Sequence, residues 1–190
     1  MMEPSKRFGV ESFASPEEAL RAFAIPGEGN LYELSFRQPL LLVFLRHGGC
    51  IFCREALLDL ARQEREIAAR GARLLIVQMG SRVPKEQLAQ SVGVPGEAIL
   101  SDPGRRLYRA FGLGRVRWWE MLRPAVLRRA WTAWRKGVRP GLPAGDTGQL
   151  PGAFLVEKGR VVKAFRPRSL AEEADFIALA AVSDEGGPML

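Results

Sequence analysis

The chain's two cysteines, Cys50 and Cys53, fall in a single Cys50-Ile51-Phe52-Cys53 run. A pair at this spacing can cycle between dithiol and disulfide, bind a metal, or pack as two small apolar side chains. A closed zinc site needs four ligands, and the sequence offers these two cysteines and one histidine, so a metal would require a carboxylate or a second subunit. Redox chemistry carries the most weight. The thiolate is the attacking form in both disulfide exchange and peroxide reduction, and a cysteine at a helix N-terminus is favoured as thiolate by the helix dipole and unpaired backbone N–H groups. With a helix starting at the dithiol, Cys50 is placed to attack and Cys53, about one turn further on, to resolve.

The flanking residues fit that chemistry. Arg46, His47 and Arg54 add positive charge near the sulfurs, and Gly48 and Gly49 let the backbone approach a substrate closely. His47 is a candidate for stabilising the thiolate or shuttling a proton; its alternative is an ordinary surface histidine beside a glycine turn.

The elements that would hold the dithiol can be read on either side of it. Leu40 to Leu45 is a continuous apolar run, the pattern of a strand covered on both faces. After the loop, Leu57, Leu60, Ala61, Ile67 and Ala68 recur at helical spacing, Gly71 ends that helix, and Arg73 to Met79 is a second buried strand. Upstream, Ser15, Pro16 and Glu18 open a short helix, and Leu31 to Phe36 alternates as a half-buried edge strand would. Downstream come a short helix over Pro84 to Gln90, a strand at Ala98 to Leu100, and a helix capped by Asp102 that carries Leu107, Tyr108 and Phe111. Ala153 to Glu157 and Arg160 to Phe165 flank Lys158-Gly159 as a β-hairpin, and Ser169 with Glu172 forms a capping box for a C-terminal helix through about Val182.

These segments together resemble the peroxiredoxin-like branch of the alkyl hydroperoxide reductase/thiol-specific antioxidant superfamily over about Leu31 to Val182. The carrying residues are Phe44 to Glu55 with the dithiol, Leu100-Ser101-Asp102-Pro103-Gly104, Tyr108 with Phe111-Gly112, and Gln149 to Phe154. The resemblance implies an α/β, thioredoxin-like fold: a central mixed β-sheet flanked by helices, with a helical insertion before the late hairpin. It also implies attack by Cys50, resolution by Cys53, and reduction of hydrogen peroxide or organic hydroperoxides. Two departures stand out. The Pro-x-x-x-Thr-x-x-Cys spacing of typical peroxiredoxins places Val43 and His47 where Pro and Thr would be, and the segment before Ala153 lacks the arginine peroxiredoxins use there. Pro151 instead stands near the place of the thioredoxin cis-proline, so a cis Leu150-Pro151 bond that docks an extended thiol substrate is expected as readily as an ordinary trans one.

At 190 residues and 47% hydrophobic, the chain is read as one domain, with an N-terminal extension (1–30), an insertion (113–152) and a tail (183–190). The insertion holds all four tryptophans and, between Arg115 and Arg139, eight basic residues against only Glu120. Pro124 starts an amphipathic helix there with Leu127, Trp131 and Trp134 on one face; packing of that face on the domain is the expectation, over docking on an anionic membrane or on phosphates. Net charge is +7. No apolar run reaches the ~20 residues of a membrane span, and no secretory segment is seen, so a cytoplasmic protein is expected.

Two function classes follow. One is a cofactor-free oxidoreductase acting on a hydroperoxide or protein disulfide and recharged by a thioredoxin- or glutathione-type reductant, with a homodimer as one option and no nucleic-acid partner expected. The other is non-enzymatic: a redox-responsive binding module that uses the basic helix, or a degenerate family member kept for interaction alone, which buried and unreactive thiols would favour.

Overall fold

The computed structural model describes residues 13–46, 50–80, 85–141 and 146–181. Five strands form a mixed sheet in the order β5-β4-β3-β6-β7. β3 (Leu40–Phe44) is central and fully buried, as its unbroken apolar run requires. It runs parallel to β4 (Arg73–Gln78), with Leu40 opposite Arg73 and Phe44 opposite Val77, and antiparallel to β6 (Gly152–Glu157), with Phe44 opposite Gly152. β5 (Ile99–Ser101) extends the parallel side. β7 (Arg160–Phe165) closes the other edge, alternating exposed with half-buried residues. The β6–β7 turn is Lys158-Gly159, both at positive φ (49° and 76°), the backbone that a two-residue type I′ hairpin demands.

The crossover from β3 to β4 is α3 (Ile51–Ala69), so the helix that carries the dithiol starts where the central strand ends. α4 (Lys85–Val92) and α5 (Arg106–Ala110) follow β4 and β5. The Asp102 carboxylate accepts from Arg106 N and Leu107 N, both at 2.8 Å, and so starts α5. α5 delivers Tyr108, and Phe111 lies just beyond it; both rings pack on Phe44 with centroids at 5.0 and 5.2 Å. The Tyr108 hydroxyl donates to Leu45 O (2.5 Å) and Val77 O (3.0 Å), tying the ends of β3 and β4 together beneath the dithiol.

α1 (Pro16–Ala22) begins as the sequence indicates, capped by Ser15, and a two-stranded ribbon of β1 (Ala24–Ile25) and β2 (Gly29–Asn30) follows it. Residues expected as an edge strand, Leu31 to Phe36, instead form helix α2 (Leu31–Arg37). The Asn30 side chain accepts from Glu33 N at 2.8 Å and starts it, and burial of Leu31, Leu34 and Ser35 follows helical rather than strand spacing. The two-residue alternation was real but short, and the cap outweighed it.

The C-terminal helix is also shorter than expected: α7 spans Phe176–Ala180 and is capped by Asp175, not Ser169. Glu172 accepts from Arg168 N, so the capping box does not close on Ser169, and the carbonyls of Leu170 and Glu172 accept from Arg129. Those are acceptors a continuous helix would use internally. Its expected end at Val182 lies outside the described residues, as does the expected start of α4 at Pro84.

The insertion contains a 3₁₀ turn at Trp118–Leu122 and α6 (Pro124–Arg135). α6 packs through Val126 and Ala133, not through its tryptophans: Leu127, Trp131 and Trp134 are exposed at 52, 58 and 44%. The expected packing of that face on the domain is therefore overturned. Arg129, on the opposite side from Leu127, takes the inward position and ion-pairs with Glu55 and Glu173. No helix among the described residues is long and apolar enough to cross a membrane.

Candidate active site

Cys50 occupies the N-cap of α3 with extended backbone (φ −75°, ψ 123°), and its carbonyl accepts from Arg54 N to begin the helix. A helix of 19 residues has several turns behind this end, so the positive end of its dipole lies at Cys50. Cys53, in the first turn, is more deeply buried: 3% exposed against 6% for Cys50.

Arg46 organises the pair. Its backbone N–H donates to Cys53 Sγ at 3.2 Å and its guanidinium Nη1 to Cys50 Sγ at 3.4 Å. Nε donates to Gln149 O at 2.8 Å, and Nη2 to Thr147 O. The side chain is almost fully buried, at 3% exposure. Among the described residues no carboxylate pairs with it. A buried guanidinium is costly unless an anion meets it, and the group it reaches is the Cys50 sulfur.

The carbonyls that hold Arg46 are themselves fixed. Gln149 is buried, and its amide donates to the carbonyls of Leu113, Gly114 and Leu150. Asp146 accepts from Gly148 N at 2.9 Å and pairs with Arg105 and Arg115. Burial works to raise the Asp146 carboxyl, but the Gly148 N–H and the two arginines outweigh it and hold the group below its usual range. The guanidinium that faces Cys50 is thus positioned by the exit of the insertion.

Cys53 lines a small cleft of about 50 Å³ walled chiefly by apolar side chains, among them Phe52, Pro151, Phe165 and Phe176. Pro151 lines the cleft beside Cys53, and the described chain contains no cis peptide bond, so of the two isomers left open by the sequence Leu150-Pro151 takes trans. Trans is the intrinsically preferred isomer, and Leu150 N already donates to Gly114 O at 3.0 Å. Arg129 closes the cleft from the α6 side, with its guanidinium 4.6 Å above the Phe52 ring.

Of the residues singled out in the sequence, Cys50, Cys53, Arg46 and Pro151 converge. Arg54 donates to Arg139 O at 3.0 Å, joining the start of α3 to the end of the basic segment. His47, with Gly48 and Gly49, lies outside the described residues. Sequence reasoning missed Glu55, Arg129, Tyr108 and Gln149 as parts of the site. Glu55 is buried at 4% exposure and holds Lys136 (2.8 Å) and Arg129 (3.5 Å). Burial first, then the negative potential of Cys53 and Asp102, pushes the Tyr108 phenol well above its ordinary value. A glutamate amid the apolar spacing of α3 was the one available signal for Glu55; nothing local separated Arg129 from Arg128.

A cysteine-to-serine variant of Xanthomonas campestris peroxiredoxin Q is similar in fold: 19% identity over 78% of this chain and 82% of that one, TM-score 0.51. Bacterioferritin comigratory protein of the same organism, whose structure was described for its alkyl peroxide reduction, matches at 20% identity over 72% and 73%, with TM-score 0.48. No curated protein matches the chain. The fold is thioredoxin-like, in agreement with the sequence expectation. The model of the AhpC/TSA antioxidant enzyme family matches residues 59–169, which starts just after the dithiol and covers more than half of the chain. On that match the chain belongs to the AhpC/TSA antioxidant enzyme family.

Proposed function

We propose that this protein is a thiol peroxidase of the peroxiredoxin kind that works through Cys50 and Cys53. The observation that carries the reading is the buried Arg46 guanidinium, 3.4 Å from Cys50 Sγ and without a carboxylate partner among the described residues. It is the counter-charge a thiolate needs at a helix N-terminus. The Cys50 thiolate attacks the distal oxygen of a hydroperoxide, the O–O bond breaks, and the departing oxygen leaves as an alcohol or water after taking a proton. His47, three residues before Cys50, is the proposed donor of that proton. The Cys53 thiol then displaces hydroxide from the Cys50 sulfenic acid, forming the disulfide and one water. An external dithiol of thioredoxin or glutathione type returns both sulfurs to thiols. The missing threonine of typical peroxiredoxins leaves Arg46 as the polar group beside the reacting sulfur. A cytoplasmic setting, where such reductants are abundant, belongs to the same reading.

Reduced wild type, Cys50→Ser and Cys53→Ser are incubated with hydrogen peroxide, cumene hydroperoxide or an oxidised protein disulfide while thiol loss is followed. Fast loss with peroxide, and a sulfenic acid trapped on Cys50 in Cys53→Ser, are expected. Fast loss with the disulfide alone would replace the proposal with a disulfide reductase, and inertness to all three would remove the enzymatic reading.

A further inference from the structure

The insertion leaves its apolar side bare. Trp118, Trp119, Leu122, Leu127, Trp131 and Trp134 are 44 to 68% exposed, and they make up most of the exposed large hydrophobics among the described residues. This is not a loosely held helix. Val126 and Ala133 pack inward, and Arg129 is bonded to Glu173, Leu170 O and Glu172 O, so the opposite side of α6 is held toward solvent. The same segment exposes Arg117, Arg123, Arg128, Arg135 and Arg139, of which Arg117 lies over Trp119 and Arg139 over Trp134, with Glu120 the one acidic residue between 113 and 141.

We propose that this surface docks on an anionic phospholipid bilayer, with the indoles and leucines at the headgroup level and the arginines on lipid phosphates. Three observations select that occupant. The first is charge: a symmetric contact with a second copy would bring two arginine-rich faces together, whereas an anionic bilayer complements them. The second is the mixture of side chains, since Leu122 and Leu127 offer a bilayer apolar area but give nucleic-acid bases no stacking surface. The third is the state of the indole faces. Trp134 already stacks on Trp131 (5.1 Å, 18°) and lies under the Arg139 guanidinium, and Arg117 lies over Trp119, so these rings do not stand open as platforms for bases. Tryptophan at the interface with arginine at its rim is the composition of a peripheral membrane contact.

The test uses the full chain with vesicles of pure phosphatidylcholine or of equimolar phosphatidylglycerol and phosphatidylcholine, read by co-sedimentation and tryptophan emission. Binding with a blue shift on the anionic vesicles alone, weakened by about 0.5 M salt, is expected. Trp131→Ala/Trp134→Ala and Arg128→Gln/Arg135→Gln should each weaken it by about tenfold or more, while circular dichroism and thiol reactivity stay at wild-type values. Cys50→Ser should bind as wild type, so the result stands apart from the peroxidase reading. Absence of binding to anionic vesicles, equal binding to neutral ones, a dimer dispersed by the tryptophan substitutions, or tighter binding to single-stranded RNA than to vesicles would each overturn the proposal.

Discussion

Arg46 meets Cys50 inside the protein, guanidinium to sulfur at 3.4 Å, while the same residue's backbone N–H meets Cys53 at 3.2 Å. One residue therefore addresses both sulfurs through two different groups. Only the guanidinium contact depends on the side chain, so the two effects can be separated by substitution. Arg46→Met should slow peroxide-driven thiol loss by roughly tenfold to a hundredfold and move fast alkylation of Cys50 to higher pH. Arg46→Lys should recover part of both, because it restores charge without the fork that grips the Gln149 carbonyl. An alkylation profile identical to wild type in Arg46→Met would show that the guanidinium does not act on Cys50.

Glu55 is held by two cations of unequal standing. Arg129 is largely buried, with a side chain 15% exposed, whereas the Lys136 side chain is 56% exposed. The Glu55 carboxylate lifts the Lys136 ammonium pKa above its ordinary value, chiefly through their hydrogen bond, but that lysine sits in water and its pair is screened. Lys136→Met should cost no more than about 1 kcal/mol in urea unfolding. Arg129→Met should cost about 3 kcal/mol, because it removes the hydrogen bonds to Glu173, Leu170 O and Glu172 O together with the more buried of the two cations facing Glu55. Equal losses for the two substitutions would contradict this ranking.

Tyr108 links stability to alkaline pH. A tyrosine in the unfolded chain ionises near pH ~10, whereas burial holds the folded phenol protonated to higher pH. The native state thus binds that proton more tightly, so its contribution is intact below about pH 10 and is lost as pH rises above it. Tyr108→Phe should lower stability at neutral pH by about 1–2 kcal/mol through loss of the hydroxyl's hydrogen bond shared between Leu45 O and Val77 O and should flatten the decline above pH ~10. Urea melts of both proteins between neutral and strongly alkaline pH measure this; parallel declines would refute it.

Gly152 stands next to Pro151 where β6 passes Leu113. A Cβ there would overlap the Leu113 side chain and sit 3.2 Å from Phe165 O. Gly152→Ala should cost roughly 1–3 kcal/mol and lower the midpoint of thermal unfolding. An unchanged midpoint would mean that Leu113 repacks freely.

Most of the scaffold was legible because long apolar runs and strong punctuation agree. Leu40 to Leu45, Gly71 and Lys158-Gly159 each signal one outcome, and the sheet follows from them. The failures are short segments decided by a single polar contact: Asn30 turned an apparent strand into α2, and Arg129 took the carbonyls that a longer C-terminal helix would have used. At the site, the dithiol and Arg46 were visible as neighbours in sequence. Their framing was not, because Gln149 and Thr147 reach Arg46 across more than a hundred residues. The outward tryptophans were misjudged for a related reason, since hydrophobicity alone ranked them above Arg129 for the inward place on α6.

The two ends of the insertion are laced to each other before either reaches the sheet. Arg115 bridges Gln149, Val116 N donates to Gly148 O, and Leu150 N donates to Gly114 O. The neck closes independently of α6, which has its own hold on the domain through Val126, Ala133 and Arg129, so the outward side of α6 can be exchanged without altering the register of β6 on β3. Because Arg46 is gripped by the same neck, at Thr147 and Gln149, new surfaces can be grafted there while the guanidinium beside the sulfur stays in place.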